Sequence, residues 1–486
     1  MLISTSSTVD KSTRAHGEYH GPIWNYLLMK VLKSVLVAAT AACAMGLSAG
    51  EDRNCKAVVG EGVTDSWCQI HCRSTCPASL CVCTGPPPPE DPRNPAFQYV
   101  GRWDLQNPSV PAFQWPGSAV KFQVTCASAA NLTAGFKTYD AYTKFGVYLN
   151  EDFAGGGVRL SNAVMAKGAT QVGIRVPSGT STVMIMKTTE EYAPDPPLGG
   201  NMLQDPSTFH GLTDMGAAAA ACKIHAAGRP SRRVQVIGDS ITCGFGNQLQ
   251  PKDTASKLEC LAAAAAAPVV NPHIAEVMYT LEDTHESYSM QLARRFGAEV
   301  HIQCISGIGM CKNAAHVTSW HSTNNMTYFV DRTLPYVAPG PANTWDHSRF
   351  VPDLLVVNLG TNDYDTSVGP IAPTAEQFQK AYTAFVVRAM AHYDKGATKV
   401  LLACGPMANR FCDSVQAVAK AMALGEGQEH AGAEGGYAIA YVSVSLPESP
   451  GGCLGCVEHP NQAEDAQMVD LMEPAVRNLT GWVPVA

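Results

Sequence analysis

Hydrophobic and polar positions change their rhythm near residue 232 of the 486-residue chain. Beyond it, near-continuous apolar runs alternate with stretches whose apolar residues recur every three or four positions, as on one face of a helix. The apolar runs occupy residues 234–237, 300–305, 354–359, 399–403 and 439–444. The clearest helical stretch, 375–393, begins with a candidate capping box formed by Thr374 and Gln377. Because strands buried on both faces are apolar throughout, this alternation predicts a parallel sheet of five strands between two layers of helices, an α/β fold.

Residues 96–228 follow a different pattern, in which short β-rich or alternating segments are separated by clusters of Gly, Asn, Asp and Pro. These segments include 120–124, 145–149, 172–176 and 182–187. Several short strands divided by turn signals are typical of packed antiparallel sheets. We therefore predict a β-sandwich domain over 96–228, followed by an α/β domain over 229–486.

The amino-terminal 49 residues have the pattern of a secretory leader. Lys30 and Lys33 precede an apolar run over 35–47, which ends at Ser48 and Ala49. A positive start, a short apolar core and small residues after it predict a cleaved signal peptide, with translation starting at Met29. The run is shorter than the roughly 20 residues that cross a bilayer, and a single-pass signal anchor is the alternative. We expect a secreted, extracellular protein with no membrane contact after cleavage.

The 17 cysteines fit an oxidising compartment, because a reducing cytosol rarely retains so many thiols without a metal. Cys43 would leave with the signal peptide, six cysteines lie within 50–84, and ten lie in the rest of the chain. Both remaining sets are even, as two disulfide frameworks would be. Cys453 and Cys456 are close enough to bridge one another, although each could also pair elsewhere.

Residues 50–84 form a small cysteine-rich module by this interpretation, tethered by a proline-rich linker over 85–95. Consecutive prolines at 86–89 favour an extended, stiff spacer. A module of this size needs crosslinks to fold, either disulfides or a zinc ion to which His71 and Cys72 would contribute. Contact with cell-wall glycan is our hypothesis for its role.

Charge and composition exclude two classes of protein. The formal net charge is -8, so no basic surface argues for a nucleic-acid partner. Hydrophobic residues make up 46% and charged residues 16% of the chain, which is globular rather than disordered. Acceptor sequons for N-glycosylation at Asn131, Asn325 and Asn478 fit an exported glycoprotein.

Candidate chemistry follows the predicted strands, whose carboxyl ends meet at one edge of a parallel sheet. Ser240 follows the first strand, Gly307 the second and Asn362 the third, while His459 precedes the last helix. Singly, each is more often a helix cap, a turn or a structural histidine. Together they supply what acyl transfer needs, which is a nucleophile, a base to deprotonate it and donors for a tetrahedral oxyanion.

These blocks resemble those of the SGNH (GDSL-type) hydrolases. The matching segments are Gly-Asp-Ser-Ile at 238–241, Ser-Gly at 306–307, Gly-Thr-Asn-Asp at 360–363 and His-Pro at 459–460. Further segments, Gly-Arg-Trp-Asp at 101–104 and Phe-Gln-Trp-Pro-Gly-Ser at 113–118, resemble the amino-terminal domain of carbohydrate esterase family 2. The similarity extends over residues 96–486.

The resemblance implies a fold, an activity and roles for these residues. It implies an SGNH-type three-layer α/β/α domain preceded by a jelly-roll-like β-sandwich, in an enzyme that removes acetyl groups from plant-type polysaccharides without metal or cofactor. Ser240 would be the nucleophile and His459 the general base. The oxyanion hole would comprise the Ser240 and Gly307 N–H groups and the Asn362 side chain. A general lipase or carboxylesterase, or a carbohydrate-binding protein with weak catalysis, are the alternatives.

One departure concerns the acid that orients the histidine in this superfamily, two or three residues before it. Those positions hold Val457 and Cys456, and Glu458 lies too close along the chain to reach its neighbour's ring easily. We expect a Ser–His dyad whose imidazole is held by a backbone carbonyl, with Glu458 or a distant acid as the alternative. An absent acid lowers the rate more than it changes the chemistry.

Other residues allow a functional and a structural interpretation. Trp103, Trp115 and Trp345 could stack on sugar rings, but large aromatic residues more often belong to the core. Glu282 and Asp283 could imitate the carboxylate pair of a glycosidase. Since adjacent carboxylates point apart on most backbones, we interpret them as a turn or a structural anchor.

Overall fold

The computed structural model describes residues 54–57, 81–84 and 96–485, except 108, 140–141, 151–157, 165–167, 192–204, 215–221, 250–257, 259, 261–279, 315–323, 365–371, 395, 426–435 and 447–452. The predicted leader and linker lie outside the described residues, as do most of the predicted cysteine-rich module and the crosslinks predicted for it. Within the module, Asn54–Ala57 and Cys81–Thr84 pair as antiparallel strands. None of the described helices combines the length and the apolar character that crossing a membrane requires.

Eighteen strands and six α-helices are described. The strands are β1 (Asn54–Ala57), β2 (Cys81–Thr84), β3 (Gln98–Val100), β4 (Trp103–Asp104), β5 (Ala112–Phe113), β6 (Ala119–Cys126), β7 (Ala130–Thr138), β8 (Lys144–Leu149), β9 (Val158–Val164), β10 (Gly168–Val176), β11 (Gly179–Lys187), β12 (Ser207–Asp214), β13 (Cys222–His225), β14 (Arg232–Gly238), β15 (Ala298–Cys304), β16 (Leu354–Asn358), β17 (Lys399–Cys404) and β18 (Ile439–Ser443). The helices are α1 (Ser240–Cys243), α2 (Tyr288–Arg295), α3 (Met326–Phe329), α4 (Ala375–Met390), α5 (Cys412–Ala423) and α6 (Gln462–Thr480).

The predicted parallel sheet is confirmed, with the strand order β15-β14-β16-β17-β18 and parallel pairing throughout. Successive side chains of a strand point to opposite faces. Val234 and Val236 therefore enter one core with α2 and α6, whereas Leu355 and Val357 enter a second core with α4 and α5. The α4 helix starts at the predicted capping box of Thr374 and Gln377.

Two antiparallel sheets precede this α/β region. One has the order β10-β7-β12-β5-β4, and the other has the order β13-β6-β11-β8-β9 with β3 beside β6. Phenylalanines of both sheets share one core, where the rings of Phe136 and Phe145 stack with centroids 4.3 Å apart. This β region contacts the α/β region directly, since Tyr336 N–H donates to Gln114 Oε1 at 3.0 Å.

The structure buries all three tryptophans that were candidate sugar contacts. Trp103 and Trp115 are 1% exposed and Trp345 is 3% exposed, so none of them presents a face to a polysaccharide. Trp103 packs on Phe113 with ring centroids 4.4 Å apart, and Arg349 covers Trp345. These three tryptophans therefore belong to the protein core.

Glu282 and Asp283 are also structural. Both are completely buried. Asp283 pairs with Arg159 at 2.5 Å and caps the 3₁₀ turn Thr284–Glu286, while Glu282 accepts a hydrogen bond from Glu190 N–H at 2.9 Å. They anchor the β region to the α/β region.

Candidate active site

Ser240 lies at the carboxyl edge of the parallel sheet, as the first residue of the one-turn helix α1 that follows β14. Asp239 caps this helix by accepting from Ile241 N–H at 3.1 Å, and Gly244 ends it in the left-handed conformation. Gly238 is required before it, because a Cβ there would lie 2.9 Å from Asn358 O. The first N–H groups of a helix have no intrahelical acceptor, so the Ser240 amide can serve a ligand.

His459 lies beside Ser240, although 219 positions separate them along the chain. Its Nε2 is 2.7 Å from Ser240 Oγ. Its Nδ1 is 3.0 Å from the carbonyl oxygen of Val457 and 3.2 Å from that of Cys456. Because carbonyls only accept, Nδ1 carries the proton and Nε2 offers its lone pair to the serine hydroxyl. This tautomer is the one that deprotonates a serine.

The loop that presents these carbonyls has an unusual backbone. Val457 and Glu458 have φ values of 54° and 59°, in the left-handed region that branched residues rarely adopt. Such residues cost roughly 1–3 kcal/mol each and persist only where the surroundings hold them. A disulfide from Cys456 to Cys260 and a hydrogen bond from Cys456 N–H to Gly246 O at 2.9 Å provide that support.

A Cys453–Cys456 bridge, one of the pairings open from the sequence, is wrong. Cys456 pairs with Cys260, 196 residues away, and Cys453 is a half-buried free thiol. Cys311 is also a free thiol. Two of the ten cysteines of the main body therefore form no disulfide, although their even number suggested that all ten would pair. The Cys456 N–H donates to Gly246 O at 2.9 Å, so Cys456 lies against the segment that follows α1, and its sulfur is bonded to Cys260.

Glu458, the candidate orienting acid, is exposed to solvent. Its left-handed backbone directs the chain so that the preceding two carbonyls, and not its carboxylate, reach the imidazole at Nδ1. The geometry is that of a dyad held by main-chain acceptors.

The candidate oxyanion donors converge on the same edge of the sheet. Gly307 follows β15 with φ 78°, a conformation that favours glycine. Asn362 is 8% exposed, and its Nδ2 donates to Ile308 O at 2.7 Å and to Asp239 Oδ2 at 3.3 Å. The short bond fixes the amide, while the longer one leaves its second hydrogen only weakly engaged.

Buried carboxyl groups support these loops. Asp363 accepts from the N–H groups of Met310 at 2.8 Å, Cys311 at 2.5 Å and Lys312 at 3.0 Å, which fixes the loop after Gly307. Burial raises the pKa of Asp239 to about 7, assisted by the negative charges of Asp363 and Glu190 and opposed by the hydrogen bond from Ile241.

Replacing Asp239 with Asn is expected to remove a pH dependence of stability. Its raised folded-state pKa means that Asp239 favours the folded state below its ordinary pKa of about 3.9, and that this contribution is lost as the pH rises through about 7. Urea unfolding from about pH 5 to about pH 8 measures it. We expect the free energy of unfolding of the wild type, relative to the variant, to fall over this range; a constant difference would contradict the prediction.

The Cys243–Cys304 disulfide joins the Ser240 turn to the end of β15, three residues before Gly307. We expect its replacement by two alanines to lower the free energy of unfolding by about 2–4 kcal/mol and kcat by about tenfold, because Ser240 and Gly307, the candidate nucleophile and oxyanion donor, lose their fixed separation. Removing Cys126–Cys222 in the β region is the control, with a similar loss of stability and unchanged kcat. Equal kcat in the two variants would show that the bridge does not support the site.

Sequence reasoning missed two residues that lie beside the candidate site residues. Tyr364 ends the 3₁₀ turn that starts at Asn362, is 39% exposed, and has the Arg410 guanidinium 4.9 Å from its ring centroid. An aromatic residue adjoining Gly-Thr-Asn-Asp was the only available hint. Glu190, from the segment after β11, binds Ser306 beside Gly307. Only the folded chain shows that contact, since 116 positions separate the two residues.

Two clusters among the described residues contain metal-ligating side chains. In the first cluster, Asp331 Oδ1 lies 3.5 Å from His347 Nε2 and 3.8 Å from His392 Nε2. The two imidazoles stack within 5° of parallel, so their in-plane lone pairs do not converge on one ion. In the second, Glu190 and Glu282 adjoin Cys243, whose sulfur is already in a disulfide. Neither arrangement favours a metal ion.

Known proteins resemble this chain in sequence and fold. Over 281 residues, 58% of this chain, it is 26% identical to the cellulase/esterase CelE of Acetivibrio thermocellus, and over 257 residues it is 24% identical to an acetylxylan esterase/glucomannan deacetylase of Cellvibrio japonicus. The chain spans 28% and 58% of the lengths of these curated relatives. No family model matches the sequence.

Solved structures show the same architecture. A family two carbohydrate esterase from Clostridium thermocellum, in complex with cellohexaose, superposes with a TM-score of 0.59 over 80% of this chain and all of that one, at 22% identity. A family two esterase from Cellvibrio japonicus gives a TM-score of 0.56 over 80% of this chain and 96% of that one, at 21% identity. The chain resembles carbohydrate esterase family 2 and shares the fold of its members.

Proposed function

We propose that the protein is a serine esterase that removes O-acetyl groups from polysaccharides. The observation that carries this proposal is the 2.7 Å contact between Ser240 Oγ and His459 Nε2, with Nδ1 committed to carbonyl acceptors. Gly307 and Asn362 lie on neighbouring loops at the same sheet edge, where an acyl oxygen would need donors. The names of the similar proteins, which include acetylxylan esterase and glucomannan deacetylase, support the substrate class.

The reaction begins when Ser240 Oγ attacks the acetyl carbonyl carbon while His459 Nε2 accepts the hydroxyl proton. The carbonyl π electrons move to oxygen, where the Ser240 N–H, the Gly307 N–H and the Asn362 amide donate to the oxyanion. Collapse of the tetrahedral intermediate breaks the bond to the sugar oxygen, which takes the proton from His459. The products of this half-reaction are a free sugar hydroxyl and an acetyl-serine.

Water completes the cycle. It attacks the acetyl-serine carbonyl as His459 accepts its proton, and a second tetrahedral oxyanion forms at the same donors. The intermediate expels Ser240 Oγ, which recovers its proton from His459, and acetic acid leaves and ionises. The carbonyls of Val457 and Cys456 stabilise the imidazolium at Nδ1 in both half-reactions.

We also propose that the protein is exported before it acts. The leader-like pattern over 1–49 and the four disulfides among the described residues support an oxidising compartment. An extracellular location places the enzyme where its polysaccharide substrate is.

Acetate release from acetylated xylan and acetylated glucomannan tests the proposal, with a long-chain acyl ester as the competing substrate. We expect kcat/KM to be much higher for acetyl than for long-chain esters. Faster cleavage of long-chain esters would overturn the substrate class and favour a general lipase.

Tyr364→Ala should raise KM for the polymer about two- to tenfold, as loss of a ring contact with sugar would, and leave p-nitrophenyl acetate hydrolysis unchanged.

A further inference from the structure

The segment after β11 carries a carboxylate from the β region into the catalytic edge of the α/β region. Glu190 is 3% exposed, and both of its oxygens contact one residue, Ser306. Oε1 accepts from Ser306 N–H at 2.6 Å, and Oε2 accepts from Ser306 Oγ–H. A two-point contact of this kind fixes the position of its partner and also its rotation.

Ser306 directly precedes Gly307, whose N–H we assign to the oxyanion hole. That N–H belongs to the peptide group between the two residues, so its direction depends on the backbone of Ser306. At the other end of the same loop, Asp363 holds residues 310–312 through three N–H groups. The loop that carries Gly307 is therefore held at both ends by buried carboxyl groups, and only one of them, Asp363, lies within a motif.

Glu190 is itself rigidly held. Its N–H donates to Glu282 Oε1 at 2.9 Å, and two residues earlier Thr188 O accepts from Thr284 N–H at 2.8 Å. Lys144 Nζ donates to Glu282 O at 2.5 Å. A carboxylate on so fixed a segment can position a catalytic loop to the precision that a donor hydrogen bond to a transition state demands.

We propose that Glu190 is the positioning residue of the oxyanion hole, acting through its two hydrogen bonds to Ser306. The inference rests on the proposed esterase function and adds to it a residue outside the SGNH blocks. It also makes the β region part of the catalytic apparatus, because the α/β region alone lacks the group that orients the Gly307 peptide.

Geometry, and not charge, is what Glu190 contributes by this account. Burial raises its pKa to about 7, against the hydrogen bonds from Ser306 and the charge of Lys187. A full negative charge so near an oxyanion would oppose catalysis, whereas hydrogen-bond acceptors at that position would not.

Two substitutions of Glu190 separate the effect of side-chain length from the effect of charge. Glu190→Gln keeps the length, with its carbonyl accepting from Ser306 N–H and its NH₂ donating to Ser306 Oγ, while Glu190→Asp keeps the charge and withdraws it by one methylene.

Steady-state kinetics of acetate release on the full chain test the inference. We expect Glu190→Asp to lower kcat about 10- to 100-fold with KM within about twofold, and Glu190→Gln to remain within about threefold of the wild type. Glu191→Asp and Glu191→Gln are the matched controls, because Glu191 is equally buried but accepts from Ser207 Oγ within the β region. We expect these controls to change the melting temperature and leave kcat unchanged.

Three outcomes would overturn the inference: wild-type kcat in Glu190→Asp, an equal loss in Glu190→Gln, or an equal loss in Glu191→Asp. If Glu190→Asp does not fold, Ser306→Ala removes one of the two bonds, and kcat should fall about three- to tenfold without a change in KM; an unchanged kcat would overturn the inference. A protein that releases no acetate refutes the proposed function itself. An activity that requires Ser240 but ignores Glu190 refutes this inference alone.

Discussion

Replacing Ser240 with alanine is expected to lower kcat for acetate release by about 10⁴- to 10⁶-fold, because the proposed acetyl-enzyme forms on the hydroxyl that this change removes. The Ser240 hydroxyl lies 2.7 Å from His459 Nε2, and Ser240 is only 5% exposed. The oxyanion donors remain in the variant, so a small residual rate over water is expected. Acetate released from acetylated xylan at substrate saturation measures kcat.

Ser414→Ala is the matched control for this loss. Ser414 is also 5% exposed, but it lies on α5 and bonds with Gln379. The same change of atoms there should leave kcat within about twofold, because surroundings away from the site tolerate the loss of one weak hydrogen bond. A Ser240→Ala protein that is folded and retains a tenth of the wild-type kcat would be incompatible with serine catalysis.

Replacing His459 with alanine should lower kcat by a similar factor, whereas Glu458→Gln should leave it within about twofold. In the proposed mechanism His459 is the base, and the carbonyls of Val457 and Cys456 accept from its Nδ1. In a catalytic triad, replacing the orienting acid with its neutral amide typically lowers kcat about 10⁴-fold. Parallel kcat measurements on the two variants therefore distinguish a dyad from a triad that uses Glu458.

A large loss in Glu458→Gln would mean that the exposed carboxylate turns toward the imidazole during the reaction, contrary to the observed geometry. A small loss in His459→Ala would mean that another group accepts the serine proton. Circular dichroism and the melting temperature of both variants serve as folding controls, since His459 also packs on Phe245 with ring centroids 4.7 Å apart.

The parallel sheet and the placement of the candidate site were predictable from sequence because both depend on local pattern. Apolar runs identify buried strands, and the carboxyl end of each strand names the residue that reaches the common edge. Ser240, Gly307 and Asn362 each follow their strand within a few positions. The capping box at Thr374 was predictable for the same reason, since its signal spans four residues.

What the sequence could not predict depends on long-range geometry or on local strain. The pairing of Cys456 with Cys260 spans 196 residues, and nothing in the spacing of the cysteines selects it. The left-handed conformation of Val457 runs against the preference of a branched side chain, yet it determines which group faces His459 Nδ1. The contact between Glu190 and Ser306 joins two regions whose boundary carries no motif.

Trapping of the acetyl-enzyme is the sharpest test of whether an acetyl group passes through Ser240. Mass spectrometry of rapidly acid-quenched protein, mixed with an activated acetyl ester and digested, reports which peptide carries an added acetyl group. We expect acetylation at Ser240 in the wild type and in Glu190→Gln, and none at this position in Ser240→Ala. Acetate release without acetylation of Ser240, or with acetylation at another residue that turns over, would contradict this expectation.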